Sequence, residues 1–415
     1  MSERVPEGWQ ASNLGDLASK IEGGGTPSRT VPEYWGDDIP WATVKDLKGV
    51  RLTSTLESIT QIGLEQSASK LVPANTMIIA SRMAVGKAVI FDKNVSINQD
   101  LKAFFPKKML DTQYLLQWYL SKAEVIESLG TGSTVKGIKL DDIRALPIDL
   151  PPLSEQQKIA KILTSVDEVI EKTQAQIDKL KDLKTGMMQE LLTQGVGVDG
   201  KPHTEFKDSP VGRIPKAWNC VTLKNLSKRI TDGTHQAVKT SADGTIPFLY
   251  VSCIRDGSID WEKASFLTEE MYELASKGRK PENGDILYTA VGSYGHAAVV
   301  IGNTRFSFQR HIAFIQPNHE KIYSEFLVSF LNSPLGKKQA DLYAIGNAQL
   351  TVTLGDLGKF KVILPEIAEQ RKIAKIFNGI DNKITVVQRK LTNLGNVKKA
   401  LMQDLLTGKV RVNID

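Results

Sequence analysis

LPPLSEQQKIAKIL at residues 150–163 returns as LPEIAEQRKIAKIF at residues 364–377, an offset of 214. The offset runs without a gap to MMQELLTQGVGV (187–198), which is matched by LMQDLLTGKVRV (401–412). About twenty of the 49 aligned positions are identical. Chance does not produce that, so the chain has to be read as two related halves.

The repeated stretch carries a heptad pattern. With Ile159 at position a, the a residues are Ile159, Val166, Thr173, Leu180 and Met187, and the d residues are Leu163, Ile170, Ile177, Lys184 and Leu191. In the second copy they are Ile373, Ile380, Val387, Leu394 and Leu401, with Phe377, Ile384, Leu391, Lys398 and Leu405. Seventeen of these twenty positions are apolar and no proline interrupts either run, which predicts two long packing helices. Ser154-Glu155-Gln156 after Pro151-Pro152 reads as a helix start, and Gly195 and Gly408 stand where each helix should stop. The two seams have equal length and share one polar blemish, Lys184 and Lys398 at equivalent d positions. They are therefore expected to pair with each other. A lysine can pack its stem and lift its ammonium to water, and the alternative is that the two only fix register, as polar seam residues can. Leucine at both is expected to raise the melting temperature but allow slipped or oligomeric pairings.

Upstream, the halves match more weakly. Pro6-x-x-Trp9 with Leu14 and Leu17 reappears as Pro215-x-x-Trp218 with Leu223 and Leu226, and Gln99…Ala103-Phe104 as Gln309…Ala313-Phe314. The plan is globule 1–150, helical region 151–200, globule 201–364 and helical region 365–415. A helix of about 40 residues spans roughly 60 Å. Returning to the start of a parallel partner would mean crossing that length, so the pair is expected to be antiparallel, giving a dumbbell with an approximate two-fold axis. The helices are nearly copied while the globules have diverged. One part has a shared task, and the other has been free to differ.

Each globule reads as mixed α/β (α+β) with short strands. The candidates are Thr76–Ser81 with Ala88–Phe91, and Asp285–Thr289 with Ala297–Ile301; 114–121 and 326–331 look helical. Polar, glycine-bearing loops recur: EGGGTPSR (22–29), SRMAVGK (81–87) and GTGSTVKGIK (130–139), against TDGTHQ (231–236), VGSYGH (291–296) and AIGNAQLTV (344–352). Such loops suit phosphate and base-edge contacts, because glycine admits close approach and Gln, Asn, Arg, Lys, Ser and Thr supply the hydrogen-bond code. They also serve as ordinary solvated turns. Gln99 and Gln309 sit in similar strand-like contexts, which gives them a structural reading as well.

Net charge is +6 with a pI near 9.0, a balance that favours an anionic partner. The excess lies in the second half: 201–364 carries 20 Lys/Arg against 16 Asp/Glu, and 365–415 carries 10 against 5. Two cysteines cannot build a disulfide framework or a structural zinc site. No signal peptide or membrane-spanning run is present, so a cytoplasmic protein with no membrane association is expected. The usual signatures of amino-methyltransferases, phosphate-binding loops, nucleases and zinc hydrolases are missing. His235, His296 and His311 show no ligand spacing. A binder is favoured over an enzyme. A self-sufficient nuclease or methyltransferase, and a coiled-coil scaffold whose globules bind only protein, are the alternatives.

The chain resembles the specificity (S) subunits of Type I restriction–modification enzymes. The resemblance is carried by the Pro-x-x-Trp openings, by Leu-Pro-x-x-x-Glu-Gln-x-Lys-Ile-Ala at 150–160 and 364–374, and by the helix ends Met188-Gln189-x-Leu191-Leu192-Thr193 and Met402-Gln403-x-Leu405-Leu406-Thr407. It implies two target recognition domains, each reading one half of a bipartite, asymmetric sequence in double-stranded DNA. The paired helices would be a ruler and a dock for two methyltransferase (M) subunits. No cofactor would sit in this chain. S-adenosylmethionine for adenine-N6 methylation would belong to those subunits, and ATP and Mg²⁺ to partners that include motor/nuclease (R) subunits. Candidate DNA contacts are Arg29, Lys45, Arg82, Lys87, Gln99, Lys136 and Lys139 in the first globule. In the second they are His235, Gln236, Arg255, Tyr294, His296, Gln309, Arg310 and Gln349. The near-neutral first globule would have to bind phosphate through local placement of Arg29, Lys45, Arg82, Lys87 and Lys136.

Overall fold

The structure, a computed structural model, describes residues 5–132, 135–197, 199–255 and 257–414. The first four residues of the 1–150 globule, Ser133 and Thr134 of the 130–139 loop, Val198, Asp256 and Asp415 lie outside the described residues. The chain divides into two compact units, Met1–Ala175 with Gln388–Asp415, and Gln176–Val387. Each contains one globule and a portion of both long helices.

Those helices run over Leu153–Gln194 and Ile367–Leu405. The first starts directly after Pro151-Pro152, where a proline's missing N–H costs nothing. Gly195 (φ 72°) and Gly408 (φ 69°) follow the helix ends in the left-handed conformation that terminates helices at little steric cost to glycine. In the first unit Asp167 pairs with Lys398, and Glu155 near the start of one helix pairs with Arg411 beyond the end of the other, so the helical segments run antiparallel. In the second unit Lys184 pairs with Asp381, and Glu369 accepts from Val196 and Gly197, with the same sense.

Seam burial follows the heptads. In the first unit Ile159, Leu163, Thr173 and Leu405 are buried, while Val166, Ile170, Leu391, Leu394 and Leu401 are half-buried. In the second, Ile177, Leu191, Ile373, Phe377, Ile384 and Val387 are buried, and Leu180, Met187 and Ile380 half-buried. The two lysines do not behave as the sequence suggested. Lys184 and Lys398 keep their ammonium groups in the seam, 2.6 Å from Asp381 and 2.5 Å from Asp167. A carboxylate in reach removes the reason to extend to water.

Both globules are built on the same antiparallel sheet. In the first, the strand order is Ala18–Gly23, Leu101–Pro106, Met77–Ala80, Ala88–Phe91, with Arg51–Leu52 added in parallel at the edge. In the second it is Ser227–Asp232, Ile312–Pro317, Ile286–Thr289, Ala297–Val299. The central segments MIIA, AVIF and ILYT are wholly buried, which apolar runs bounded by turns predict for strands covered on both faces. A smaller sheet with one parallel step joins Trp35–Ala42 to Val95–Ile97, and Ile246–Leu249 to Ser307–Phe308. Helices Thr112–Ser121 and Ser324–Asn332 occupy equivalent places.

The repeated Trp and Glu-Gln motifs turn out to be one joint. Trp9 Nε1 donates to Glu155 (3.1 Å), and Trp218 Nε1 to Glu369 (2.9 Å). Gln156 accepts the Asp111 N–H and donates to the Met109 and Pro151 carbonyls; Gln370 accepts the Tyr323 N–H and donates to Lys321 and Pro365. All four Glu and Gln side chains are buried. A polar dipeptide at the start of a helix is here the fastening of that helix to its globule. Buried polar groups of this kind persist because every one of them is satisfied.

Candidate nucleic-acid interface

In the first globule Thr131 and the stretch 135–138 pack over the end of strand Met77–Ala80. Thr131 and Gly137 exchange backbone hydrogen bonds of 2.8 Å, Ile138 donates to Ser81, and Met83 donates to Lys136. Beneath this loop opens a cleft of about 360 Å³ whose walls include Arg82, Gln99, Lys102, Thr131, Val135 and Lys139. Three residues expected from sequence, Arg82, Gln99 and Lys139, thus meet in one place. Gln99 accepts from Thr26 Oγ1 at 2.6 Å, and Arg82 lies 3.5 Å from Asp100 with its side chain more than half exposed.

Lys102 was not anticipated. It sits in the strand LKAFFP, where alternation hides one polar face among apolar neighbours, and its Nζ donates to the Gln99 carbonyl at 2.9 Å. Burial pushes its ammonium below the usual lysine range; nearby Asp100 works against that shift and Arg82 adds to it.

The remaining candidates of this globule do not line the cleft. Arg29 is ion-paired with Glu57, and its guanidinium stacks 3.7 Å above Trp35. The hydrogen bond with Glu57 raises the Arg29 pKa and lowers that of the carboxyl. Lys45 is exposed on the turn Val44–Asp46, Lys87 reaches the Leu47 carbonyl at 3.4 Å, and Lys136 lies 3.7 Å from Glu127. Part of the glycine-rich 22–29 loop serves packing. A Cβ on Gly24 would lie 1.8 Å from the Ile97 carbonyl oxygen, and one on Gly233 2.2 Å from that of Gln309.

In the second globule the 291–296 loop is the gathering point. Arg255 donates to Ser293 Oγ (2.8 Å), and Tyr294 donates to Asp341 (2.9 Å) beneath the Lys337 ammonium, 4.2 Å from the ring centre. Gln349 lies against Gly292. His296 is tied into the loop through its backbone, which bonds with Thr289. His235 faces Asp232 at 2.6 Å, while Gln236 and Arg310 are exposed. Gln309 bonds through its backbone to Leu249 and Ile312, so the two glutamines have separated: Gln99 enters the cleft, whereas Gln309 ties strands together. Among the described residues, no group of three or more His, Cys, Asp or Glu side chains could hold a metal ion. No helix among them is long and apolar enough to cross a membrane.

The family of the Type I restriction modification DNA specificity domain matches the chain twice, over residues 6–182 and 215–395. The chain belongs to this family. It is 28% identical over 415 residues to the MjaVIII specificity subunit of Methanocaldococcus jannaschii, covering 99% of this chain and 94% of that one. It is 21% identical over 428 residues to the EcoKI specificity subunit of Escherichia coli, covering 98% and 90%. In fold it is similar to the crystal structure of a Type I S subunit from M. genitalium, with a TM-score of 0.61 at 16% identity, over 97% of this chain and 98% of that one. As a specificity subunit it is a non-catalytic DNA-recognition component that acts together with other subunits of a restriction–modification system. Each match takes in most of one globule and the first part of the long helix that follows it.

Proposed function

We propose that the globules at 1–150 and 201–364 each read one half of a bipartite, asymmetric DNA target. In this reading the helical regions 151–200 and 365–415 set the spacing and carry two methyltransferase subunits. Those subunits hold S-adenosylmethionine for adenine-N6 methylation; motor/nuclease subunits use ATP and Mg²⁺. The complex works in the cytoplasm on double-stranded DNA. One observation supports this above others: the same backbone frame is built twice and furnished with different side chains. Arg82, Gln99, Lys102 and Lys139 furnish the first copy; Arg255, Tyr294, Lys337 and Gln349 furnish the second. Phosphate contacts from the basic groups would position the duplex, and amide and apolar groups would read base edges.

Methylated adenines mapped in a cell carrying this chain and its methyltransferase partner would test the reading. Exchange of residues 1–150 for the corresponding domain of another specificity subunit should change one half-site and leave the other. A change in both halves would overturn the modular reading. Turnover of DNA by the purified chain alone, with S-adenosylmethionine and Mg²⁺, would overturn the non-catalytic one.

A further inference from the structure

Met83 stands in the left-handed region at φ 66° and keeps its side chain 62% exposed. Both features work against the choice of methionine. A side chain at positive φ crowds its own backbone, and an exposed thioether gains nothing from packing. The second globule shows what the backbone alone requires. Met83 donates to the Lys136 carbonyl at 2.8 Å, and Gly292 donates to the Leu350 carbonyl at 2.8 Å. Arg82 bridges Gly137 as Val291 bridges Thr351, while Gly132 and Gly346 turn the facing loops at φ 115° and 117°. The equivalent of Met83 is therefore Gly292, at φ 73°. There the space above the glycine is used by Gln349, whose Nε2 would lie 3.2 Å from a Cβ at position 292. The space above this loop position is thus filled by the loop's own apolar side chain in the first globule, beside a basic cleft, and by the Gln349 amide from the facing loop in the second. A strained residue with no folding benefit points to function.

We propose that Met83 is a specificity-determining residue of the first globule, making an apolar contact with base pairs of the half-site which that globule reads. This rests on the DNA-reading role given above. Unbranched, flexible methionine suits such a contact, and apolar side chains discriminate bases through the thymine methyl or by leaning on a base step.

The experiment uses the full chain assembled with its methyltransferase subunits, and compares wild type with Met83→Gly, Met83→Leu and Gln349→Ala. Met83→Gly relieves the backbone, so it should melt no lower than wild type. Its affinity for the mapped target should fall about tenfold, in the range of one lost base contact. Its methylation map should relax at one or two base pairs of a single half-site. Met83→Leu should retain most of the affinity, and Gln349→Ala should relax the other half-site. Unchanged affinity and map in Met83→Gly would overturn the inference, as would a lower melting temperature, which would make the side chain a structural one. Failure of the wild-type complex to bind DNA specifically would instead overturn the reading on which it rests.

Discussion

The ammonium of Lys398 lies 2.5 Å from a carboxylate oxygen of Asp167 in the first unit, and the pair is withdrawn from water, with side-chain exposures of 14% and 12%. At the equivalent positions of the repeat, Lys184 and Asp381 stand 2.6 Å apart, but Asp381 is 42% exposed. The two pairs have the same chemistry and different surroundings. Lys398→Leu leaves Asp167 buried with Gln117 as its hydrogen-bond donor, which should cost about 3 kcal/mol. Lys184→Leu leaves a carboxylate that water can reach, and should cost about 1 kcal/mol or less. Urea denaturation of the two single variants checks this. Equal losses would mean that burial does not set the strength of these pairs.

Glu369 accepts from Val196 N (2.9 Å), Gly197 N (2.8 Å), Trp218 Nε1 (2.9 Å) and His203 Nε2 (3.0 Å). Its counterpart Glu155 accepts from Trp9 and twice from Arg411, at 2.7 and 2.8 Å. Arg411→Ala should therefore destabilise the first unit by about 3 kcal/mol, because a buried carboxylate loses the cation that pairs with it. Glu369→Ala should cost about 2–4 kcal/mol in the second unit by orphaning several donors together. Hydrogen exchange at Gln10–Asn13 and Asn219–Thr222 reads the two units separately, and each variant should loosen only its own.

Arg82 and Gln99 share a cleft and should fail differently. Arg82→Ala removes a charge that can meet a phosphate, so it should lower the slope of log affinity against log salt by about one. Gln99→Ala should leave that slope alone and relax base preference within one half-site. Binding titrations at several salt concentrations separate the two effects.

Lys102 should make DNA binding sensitive to alkali. Because burial holds its pKa below 10.5, it loses its proton before surface lysines as pH rises toward that value. Affinity for DNA should fall over that approach, and Lys102→Arg should flatten the fall, since a guanidinium stays protonated. Stability runs the other way. A base whose folded pKa is depressed favours the neutral form in the folded state, so the fold gains over the unfolded chain as pH climbs through the folded pKa toward 10.5. Affinity and melting temperature measured across the same alkaline series should diverge.

Much of this architecture is local, and local features can be read along a chain. The repeat at offset 214, the heptads beginning at Ile159 and Ile373, the stops at Gly195 and Gly408, and the buried strands 77–80 and 286–289 all arise from periodicity, propensity and turn chemistry. The resemblance to specificity subunits rested on the same repeated motifs. What the tertiary structure decided is which distant groups meet. Trp9 and Glu155 are 146 positions apart, and Glu155 and Arg411 are 256 apart. Periodicity does not reach across such separations; only burial of the pair in a shared core makes the contact worth its desolvation. For the same reason the seam lysines read as snorkelling groups until Asp167 and Asp381 were placed beside them. The cleft, its unforeseen Lys102 and the strained Met83 belong with these. They exist where separate loops are pinned together by backbone hydrogen bonds, and such pinning leaves no mark in the spacing of residues along the chain.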